Sequence, residues 1–434
     1  DRAIEMTDSY TKTIEDMLQA GPQDDDEKTV WDDLVKAYDE YKASGKTTLF
    51  DCPALLAIEY HRVEGSDCEL NMPYAEIVNT FDDWFINEVG AKMSKMVGIV
   101  GYTWPRWTYP TDYTRGNGYF AYLTQYIKDK DLDITIMTET PATELLTDKN
   151  GAVTGVKAES ADGTIYTINA KKVVLATGGF SANGEMLMEY DTQWGITTPD
   201  IKTDNNPGNT GDGITMAQKL GGATAAMDNI MMFPLSTKGN SDASGAFGFN
   251  GSSNLMINTK GVRFVDETAS RFEICHAIFE QEEPYYYIIS DALNSRVDKM
   301  TEEELQKSID AGVVFKGDTL EELAEKIGVD ADTLKATVEQ YNTACETSDD
   351  KLFGRTSFAD GSEIVQGPFY ATALEPCSHI TIGGLVVDNN YAVLTNDGKP
   401  IENLYAVGET IAGSCGLSAF AYGKDLGARL ANAN

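Results

Sequence analysis

The run VVLATGGF at residues 173–180 constrains the fold more than any other part of this sequence. An apolar run typical of a β-strand ends at Gly178 and Gly179, and the polar residues SANGE follow it. Consecutive glycines at a strand end indicate a tight turn or a backbone that another group approaches closely. On this stretch alone, a plain turn after a buried strand and a turn that contacts a ligand are both open.

Length and charge narrow the class of protein. A chain of 434 residues is long enough for roughly two to four domains with a large core. With 69 acidic and 34 basic residues, its formal charge of −35 disfavours nucleic acids and anionic membrane surfaces as partners. No run of about eighteen apolar residues occurs, so we predict no membrane span.

The start of the chain and its acidity bear on location. The first residues, DRAIEMTDSYTK, include neither an initiating Met nor a charged-then-apolar leader, so we expect a segment of a longer protein. The acidity suits an extracytoplasmic (cell-envelope or secreted) protein of an anaerobic bacterium, although cytoplasmic enzymes can be equally acidic.

Cysteine and histidine spacing indicates no metal site. The six cysteines are scattered without the short spacings of zinc, iron–sulfur or haem-attachment motifs. The three histidines, His61, His276 and His379, are far apart, and we interpret the first two as structural.

The pattern along the chain predicts one α/β domain interrupted by a second domain. The first hundred residues have helical spacing, and Asn150-Gly151 and Asp162-Gly163 separate the strands of an antiparallel meander that leads into VVLATGG. In the second region, Thr319 is the predicted N-cap of a helix that ends at Gly328, and Glu322 at the third helical position completes a predicted capping box with Thr319. We place the first domain at 1–227 and 379–434, and the second at 228–378.

Four segments of the sequence, taken together, resemble one family. The segments are VVLATGGF (173–180), NPGNTGDGITMAQKLGG (206–222), INTKGVRFVDETASR (257–271), and the pair SHITIGGL (378–385) and NLYAVGE (403–409). Their order resembles the fumarate reductase/succinate dehydrogenase flavoproteins, which include urocanate reductases, other flavin-dependent ene reductases and ketosteroid dehydrogenases. The resemblance runs from about residue 116 to the end. It implies an incomplete Rossmann-like FAD-binding domain interrupted by an α+β capping domain.

The resemblance also implies which residues lie near FAD. A carboxylate such as Glu409 suits this task because it accepts hydrogen bonds from ribose or ribityl hydroxyls. The family's N-terminal GxGxxG unit, which binds the diphosphate, is missing, and we expect the parent protein to supply it. The implied cofactor-binding residues are Ala142, Thr177, Gly178, Gly179, Asp212, Ile380 and Glu409.

Two residues match the family's catalytic positions. Flavin N5 passes a hydride to one carbon of an activated C=C bond, and Arg271 matches the arginine that protonates the other carbon. His379 matches the histidine that binds a substrate oxygen. The Glu and Arg that return the proton in the family correspond to Phe247 and Asn250, so Asp266, Glu267 or water would have to replace them.

The substrate pocket departs from the family's pattern. The family's carboxylate-clamping histidine and arginine fall at Phe233 and Ala419. Dicarboxylates require cationic clamps, so we expect a larger, less charged, aromatic or polycyclic substrate with a conjugated carbonyl rather than fumarate. We interpret the aromatic loop 102–113 mainly as packing. The predicted pocket residues are Phe233, Phe247, Phe249, Asn250, Ala419 and Tyr422, with Phe420 as a further candidate.

Three functions follow as hypotheses. The first is an FAD-dependent ene reductase that acts on a small-molecule alkene, with electrons from a quinone, a flavodoxin-like or FMN protein, or a cytochrome. The second is a desaturase resembling 3-ketosteroid dehydrogenases, with Tyr422 as a candidate acid or base. The third is a catalytically inactive binding protein with the same fold, which the lost clamp residues favour and the retained Arg271 and His379 oppose.

Overall fold

The computed structural model describes residues 4–98, 102–113, 116–237, 253–281, 286–291, 301–413 and 418–432. None of the helices described there is long and apolar enough to cross a membrane. The helices are α1 Asp8–Ala20, α2 Asp25–Ser44, α3 Pro53–Glu64, α4 Cys68–Asn87, α5 Asn117–Asp129, α6 Gly184–Tyr190, α7 Asp212–Gln218, α8 Arg271–Phe279, α9 Glu302–Asp310, α10 Leu320–Ile327, α11 Ala331–Thr347 and α12 Ser418–Asn432.

The strands form four sheets among the described residues. They are β1 Ala142–Thr147, β2 Val153–Glu159, β3 Ile165–Asn169, β4 Val173–Leu175, β5 Thr224–Ala225, β6 Ile230–Thr237, β7 Leu255–Ile257, β8 Tyr286–Asp291, β9 Val314–Gly317, β10 Phe369–Thr381, β11 Gly384–Leu385, β12 Ala392–Leu394 and β13 Pro400–Ala406.

The chain divides into two compact units. The first comprises Asp1–Phe180, Gly208–Asn229 and Ile380–Asn434, and the second comprises Ser181–Pro207 and Ile230–His379. The cofactor and capping roles that the sequence assigns to its two domains stay predictions. We describe each unit by itself.

The first unit begins with a helical lobe formed by α1 to α4. Its helices start at residues whose side chains accept a hydrogen bond from the first turn, namely Thr7, Asp24 and Asp67, while α3 starts with Pro53. The lobe is held by a buried apolar cluster in which the indole of Trp104 also donates to the Phe50 carbonyl at 2.6 Å. The helical prediction for these residues is confirmed.

The predicted meander and the ATGG strand belong to different sheets of this unit. Strands β1, β2 and β3 pair antiparallel, and their turns place Gly151 and Gly163 at φ of +88° and +82°, a conformation that favours glycine. Strand β4, which carries VVL, instead pairs parallel with β13, and β13 also pairs with β12. This parallel pairing brings the ends of VVLATGG and NLYAVGE together.

The second unit is a five-stranded sheet with helices on both faces. Strand β10 pairs with β8 and β9, and the sheet order is β6-β10-β8-β7 with β9 attached to β10. Successive strand residues point to opposite faces, so Ile289 packs with α10 and α11 while Ile288 packs with α8. The predicted N-cap Thr319 and end residue Gly328 of α10 are confirmed, although the Glu322 carboxylate accepts from Asp318 rather than from Thr319.

Candidate functional site

The turn after β4 is packed against Asn209, against Thr381 at the end of β10, and against Glu409, which follows β13. Gly178 adopts φ of +73°, and a Cβ atom added there would collide with the amide of Asn209. A Cβ atom added at Gly179 would collide with the Thr381 hydroxyl and lie 2.7 Å from the Glu409 carboxylate. Both glycines are therefore required by close packing within the chain, which explains the two-glycine strand end.

Hydrogen bonds join this turn to Glu409 and Thr410. Glu409 is 8% exposed, and its two carboxylate oxygens accept from the Thr381 backbone and from the Asn209 amide, each at 3.1 Å. The Thr410 hydroxyl accepts from the Thr177 backbone at 3.0 Å and donates to the Gly178 carbonyl at 3.2 Å. We call these residues the Glu409 cluster: Thr177, Gly178, Gly179, Asn209, Thr381, Glu409 and Thr410.

The other predicted cofactor residues lie in the same unit with less direct links to Glu409. Asp212 is exposed at the first position of α7, directly after Gly211, whose backbone donates to the Gly179 carbonyl at 3.0 Å. Ile380 is buried in β10 next to Thr381. Ala142 is half-buried at the start of β1, and β1 contacts α7.

In the second unit, His379 is paired with an aspartate that the sequence did not indicate. Nδ1 of His379 lies 2.8 Å and 2.9 Å from the two carboxylate oxygens of Asp204, and the Asp204 side chain is 4% exposed. An ionised carboxylate can only accept, so Nδ1 carries the proton and Nε2 remains for another group. His379 itself keeps 32% of its side chain exposed.

The pairing of two chain segments brings Asp204 to His379. The Ser378 backbone donates to the Lys202 carbonyl at 2.8 Å, and the Thr203 hydroxyl donates to the Ser378 carbonyl at 2.9 Å. The end of β10 and residues 202–204 thus lie side by side, which fixes the aspartate opposite the histidine.

Phe233 contacts both predicted catalytic residues. Its ring centroid is 5.3 Å from that of His379, and the Arg271 guanidinium carbon is 5.8 Å from the Phe233 centroid. Arg271 is the first residue of α8. The positive end of the helix dipole lies there and destabilises a cation by about 0.3–1 kcal/mol. We call Asp204, Phe233, Arg271 and His379 the His379 cluster.

Of the two acids proposed to return a proton to Arg271, Glu267 is held in a buried ionic network. Its carboxylate accepts from Arg263 at 2.8 Å and from Arg355 at 2.9 Å, and Arg263 also pairs with Asp350 at 2.7 Å. Burial alone would lower the pKa of Arg263, but the bonds to Glu267 and Asp350 outweigh it and raise that pKa. These contacts favour a structural role for Glu267, and leave Asp266 or water as the proposed relay.

Two of the remaining predicted pocket residues, Ala419 and Tyr422, lie on α12 in the first unit. Ala419 is exposed at the start of α12, and Tyr422 is 2% exposed, with its ring packed on those of Tyr74 and Tyr391 in the first unit. Their predicted role as pocket residues stays a prediction. The predicted pocket residues Phe247, Phe249 and Asn250 lie outside the described residues.

Comparison with known proteins identifies a family. A family model described as "FAD binding domain" matches residues 6–420. The NADH:acrylate oxidoreductase of Vibrio harveyi is 33% identical over 388 residues, covering 85% of this chain and 38% of that protein. The vinyl phenol reductase of Lactiplantibacillus plantarum is 31% identical over 321 residues, covering 66% of this chain and 63% of that protein.

A solved structure agrees with these matches. The open conformation of a flavocytochrome c3 fumarate reductase is similar with a TM-score of 0.71 and 26% identity, covering 87% of this chain and 66% of that one. The resemblance stated from the sequence motifs is thereby confirmed, as are the α/β fold class and FAD as the cofactor. The chain nevertheless spans only part of each curated relative it matches.

The Glu409 cluster fits part of FAD. It offers a buried carboxylate, an amide and hydroxyls around a turn that has no side chains, which suits a hydroxyl-rich chain such as ribityl or ribose. Its seven members include neither Lys nor Arg, so the cluster does not offer a cationic group to a diphosphate. The sequence motifs did not predict Asn209, Thr381 and Thr410 as members of this cluster, although each lies within or next to a quoted motif.

Proposed function

The chain belongs to the FAD-binding-domain family, and we propose that it is part of an FAD-dependent oxidoreductase that reduces an activated C=C bond of a relatively apolar, conjugated carbonyl compound. Bound FAD would supply the hydride from N5. The Glu409 cluster would hold the hydroxyl-bearing part of the cofactor. The desaturase and the inactive binding protein remain the alternatives.

The observation that carries the substrate proposal is the position of Phe233. Its uncharged ring contacts both His379 and Arg271. A second carboxylate of a dicarboxylate would meet an aromatic ring there instead of a cationic donor, and would lose a charge-assisted hydrogen bond worth about 1.5–3 kcal/mol. An apolar or aromatic group would instead be stabilised by packing against the ring.

His379 and Arg271 have separate roles in this proposal. Because Asp204 accepts the hydrogen bond from Nδ1–H of His379, Nε2 is the nitrogen that faces the substrate, and the doubly protonated ring would donate from Nε2 to the substrate's activating oxygen. Arg271 donates a proton to the carbon next to the one that receives the hydride, and Asp266 or water restores that proton. Both roles require the side chains to be held in place, which the pairing with Asp204 and the helix start at Ser270 provide.

The electron donor and the location stay proposals as well. The names of two similar proteins mention NADH and a flavocytochrome, and a donor protein, a cytochrome or a quinone would each be able to reduce a flavin. An extracytoplasmic location is consistent with the acidic composition.

The test is anaerobic reoxidation of the flavin. Protein that has bound FAD is reduced with a dye, and a conjugated ketone, a vinyl phenol, acrylate and fumarate are added separately while the flavin absorbance is followed. We expect the ketone or the vinyl phenol to restore the oxidised spectrum at least tenfold faster than fumarate.

Faster reoxidation by fumarate or acrylate would overturn the substrate proposal. Turnover only with a saturated ketone and an artificial acceptor would establish the desaturase instead. A full-length parent protein that takes up no FAD at all would establish the binding-protein alternative.

A further inference from the structure

The first unit contains a cavity beside its helical lobe, and of the residues predicted for the substrate pocket only the further candidate Phe420 is among the described residues that line it. Its volume is about 250 Å³, and it is lined by residues from α3, α4, α5 and α12 together with Met96 and members of the segment 102–108. For scale, a cavity of about 150 Å³ admits benzene, so this one has room for a single ring with a short side chain. It shares no residue with the Glu409 cluster or the His379 cluster.

Two groups of aromatic rings form much of its lining. In the first group, Tyr102 meets Tyr60 and Trp107 edge-on at centroid distances of 5.7 Å and 5.9 Å. In the second, Phe420 stacks on Tyr119 at 4.7 Å and on Phe81 at 5.2 Å. Ring faces attract cations through their quadrupole as well as packing against other rings.

Among the described residues of the lining, the charged groups are mainly negative. Asp51, Glu76 and Asp82 line the cavity, and Arg106 is the one cation in that described part. Both Nε and Nη2 of Arg106 donate to the Asp51 carboxylate at 2.7 Å, and Nη1 donates to Glu59, which is buried. The guanidinium is therefore neutralised by acids of its own chain and is not offered to a bound carboxylate.

Asp82 is the acid best placed to take part in recognition. It is half-buried, follows Phe81 on α4, and its carboxylate lies 3.3 Å from the Thr108 hydroxyl, which donates to it. An ionised carboxylate has about four acceptor positions, so this bond is compatible with a second donor. By contrast, burial raises the pKa of the neighbouring Cys52 thiol to about 11, so that side chain is an uncharged, apolar part of the lining.

We propose that this cavity is a binding site for a small ring-bearing organic ammonium ion. Its aromatic faces take the ring and the cation, and Asp82 takes the ammonium group. The excess of carboxylates disfavours ligands that carry a carboxylate themselves. The inference does not rest on the proposed reaction, because Asp82 has no role in that reaction and the binding test needs no flavin.

A matched set of three phenols tests the proposal by isothermal titration calorimetry on the full chain. Tyramine, 4-propylphenol and 3-(4-hydroxyphenyl)propanoate share one ring and differ in an ammonium, a methyl or a carboxylate end group. We expect 1:1 binding of tyramine, at least about tenfold tighter than that of either other phenol and weakened by added salt.

Two single substitutions distinguish binding in the cavity from nonspecific electrostatic attraction of amines to a chain with a net charge of −35. Asp82→Asn should weaken tyramine about tenfold and leave 4-propylphenol unchanged. Asp83→Asn, the exposed neighbour on α4 that does not line the cavity, makes the same change in net charge and should leave tyramine binding unchanged. Equal affinities for the three phenols, tighter binding of the propanoate, no binding of tyramine, or equal effects of the two substitutions would each overturn the proposal.

Discussion

The Asp204 carboxylate accepts a hydrogen bond from Nδ1–H of His379 at 2.8 Å, and only 4% of the Asp204 side chain is exposed. The two residues lie 175 positions apart in the chain, and the pairing of residues 202–204 with Ser378 brings them together. Under the proposed function, this contact leaves Nε2 of His379 to meet the substrate. Asp204 would then be a positioning residue that acts through the histidine.

Replacing Asp204 should lower turnover without unfolding the protein. Asp204→Asn keeps the shape but removes the charge, so His379 loses a charge-assisted bond worth about 1.5–3 kcal/mol, which corresponds to about a 10- to 100-fold lower kcat. Anaerobic alkene reduction measures kcat and KM, and histidine ¹⁵N spectra report which ring nitrogen carries the proton. The matched control is Asp200→Asn, an exposed acid of the same segment, and an unchanged kcat and spectrum in Asp204→Asn would contradict the assignment.

Local signals explain which parts of the fold could be predicted. The turns at Gly151 and Gly163, the start of α10 at Thr319 and its end at Gly328 depend on residues within one or two turns of each other, and the sequence predicts each correctly. Asp204 carries no such signal, because the loop TDNN has no recognisable pattern and its partner is distant. For the same reason the motifs indicated Glu409 but not its hydrogen-bond donor Asn209.

The aromatic residues show a second limit of sequence reasoning. The motifs predict Tyr422 as a pocket residue; its ring packs on those of Tyr74 and Tyr391, and a role in substrate binding stays a prediction. The loop 102–113 was interpreted mainly as packing, yet Tyr102 and Trp107 line a cavity. An aromatic side chain has the same signature in a core and in a binding site, and only the surrounding packing distinguishes them.

Arg271 should be required for alkene reduction but not for binding of the flavin. Positioned proton donors contribute about 10²- to 10⁴-fold to a rate, so Arg271→Ala should lower alkene reduction by that factor. Reduction of the flavin by a dye should stay unchanged, and the comparison of the two rates is the measurement. The exposed Arg429, which pairs with Asp425 on α12, offers the control Arg429→Ala. Retention of full alkene reduction in Arg271→Ala would remove the proposed role.

Phe233→His should shift the substrate preference toward carboxylates. A histidine there would offer a hydrogen-bond donor beside His379 and Arg271, where the ring now contacts both. One such bond corresponds to about a tenfold gain, so we expect the ratio of kcat/KM for fumarate to that for a conjugated ketone to rise about tenfold. Phe272→His, at an exposed ring on α8, should leave the ratio unchanged. A ratio that falls or stays constant in Phe233→His would contradict the proposal that the Phe233 ring selects against carboxylate substrates.

Glu267→Gln should destabilise the second unit rather than act on proton transfer. Its carboxylate neutralises Arg263 and Arg355, and removing one partner of a buried ionic network costs about 3–5 kcal/mol. Urea unfolding measures this loss, with the exposed Glu280→Gln as control. If the variant were as stable as the wild type but reduced alkenes 100-fold more slowly, Glu267 would be the relay and the structural assignment would be wrong.

The ion pair between His61 and Asp24 should make the stability of the helical lobe depend on pH. Burial alone would lower the pKa of His61, but hydrogen bonds to Asp24 and to the Ser66 carbonyl, with the charges of Asp24 and Asp26, outweigh it and raise that pKa. A histidine whose folded pKa lies above its unfolded value of about 6.5 stabilises the fold fully below that pH, and loses this contribution as the pH rises through the folded pKa.

His61→Gln should therefore lower the free energy of unfolding more at pH 6 than at pH 9, by no more than about 1 kcal/mol for a pair that is partly exposed. Urea titrations at the two pH values measure the difference between wild type and variant. In an Asp24→Asn background the same substitution should show a smaller pH difference, because the main partner that raises the pKa is gone. An equal loss at both pH values in the wild-type background would show that His61 acts by packing and not by charge.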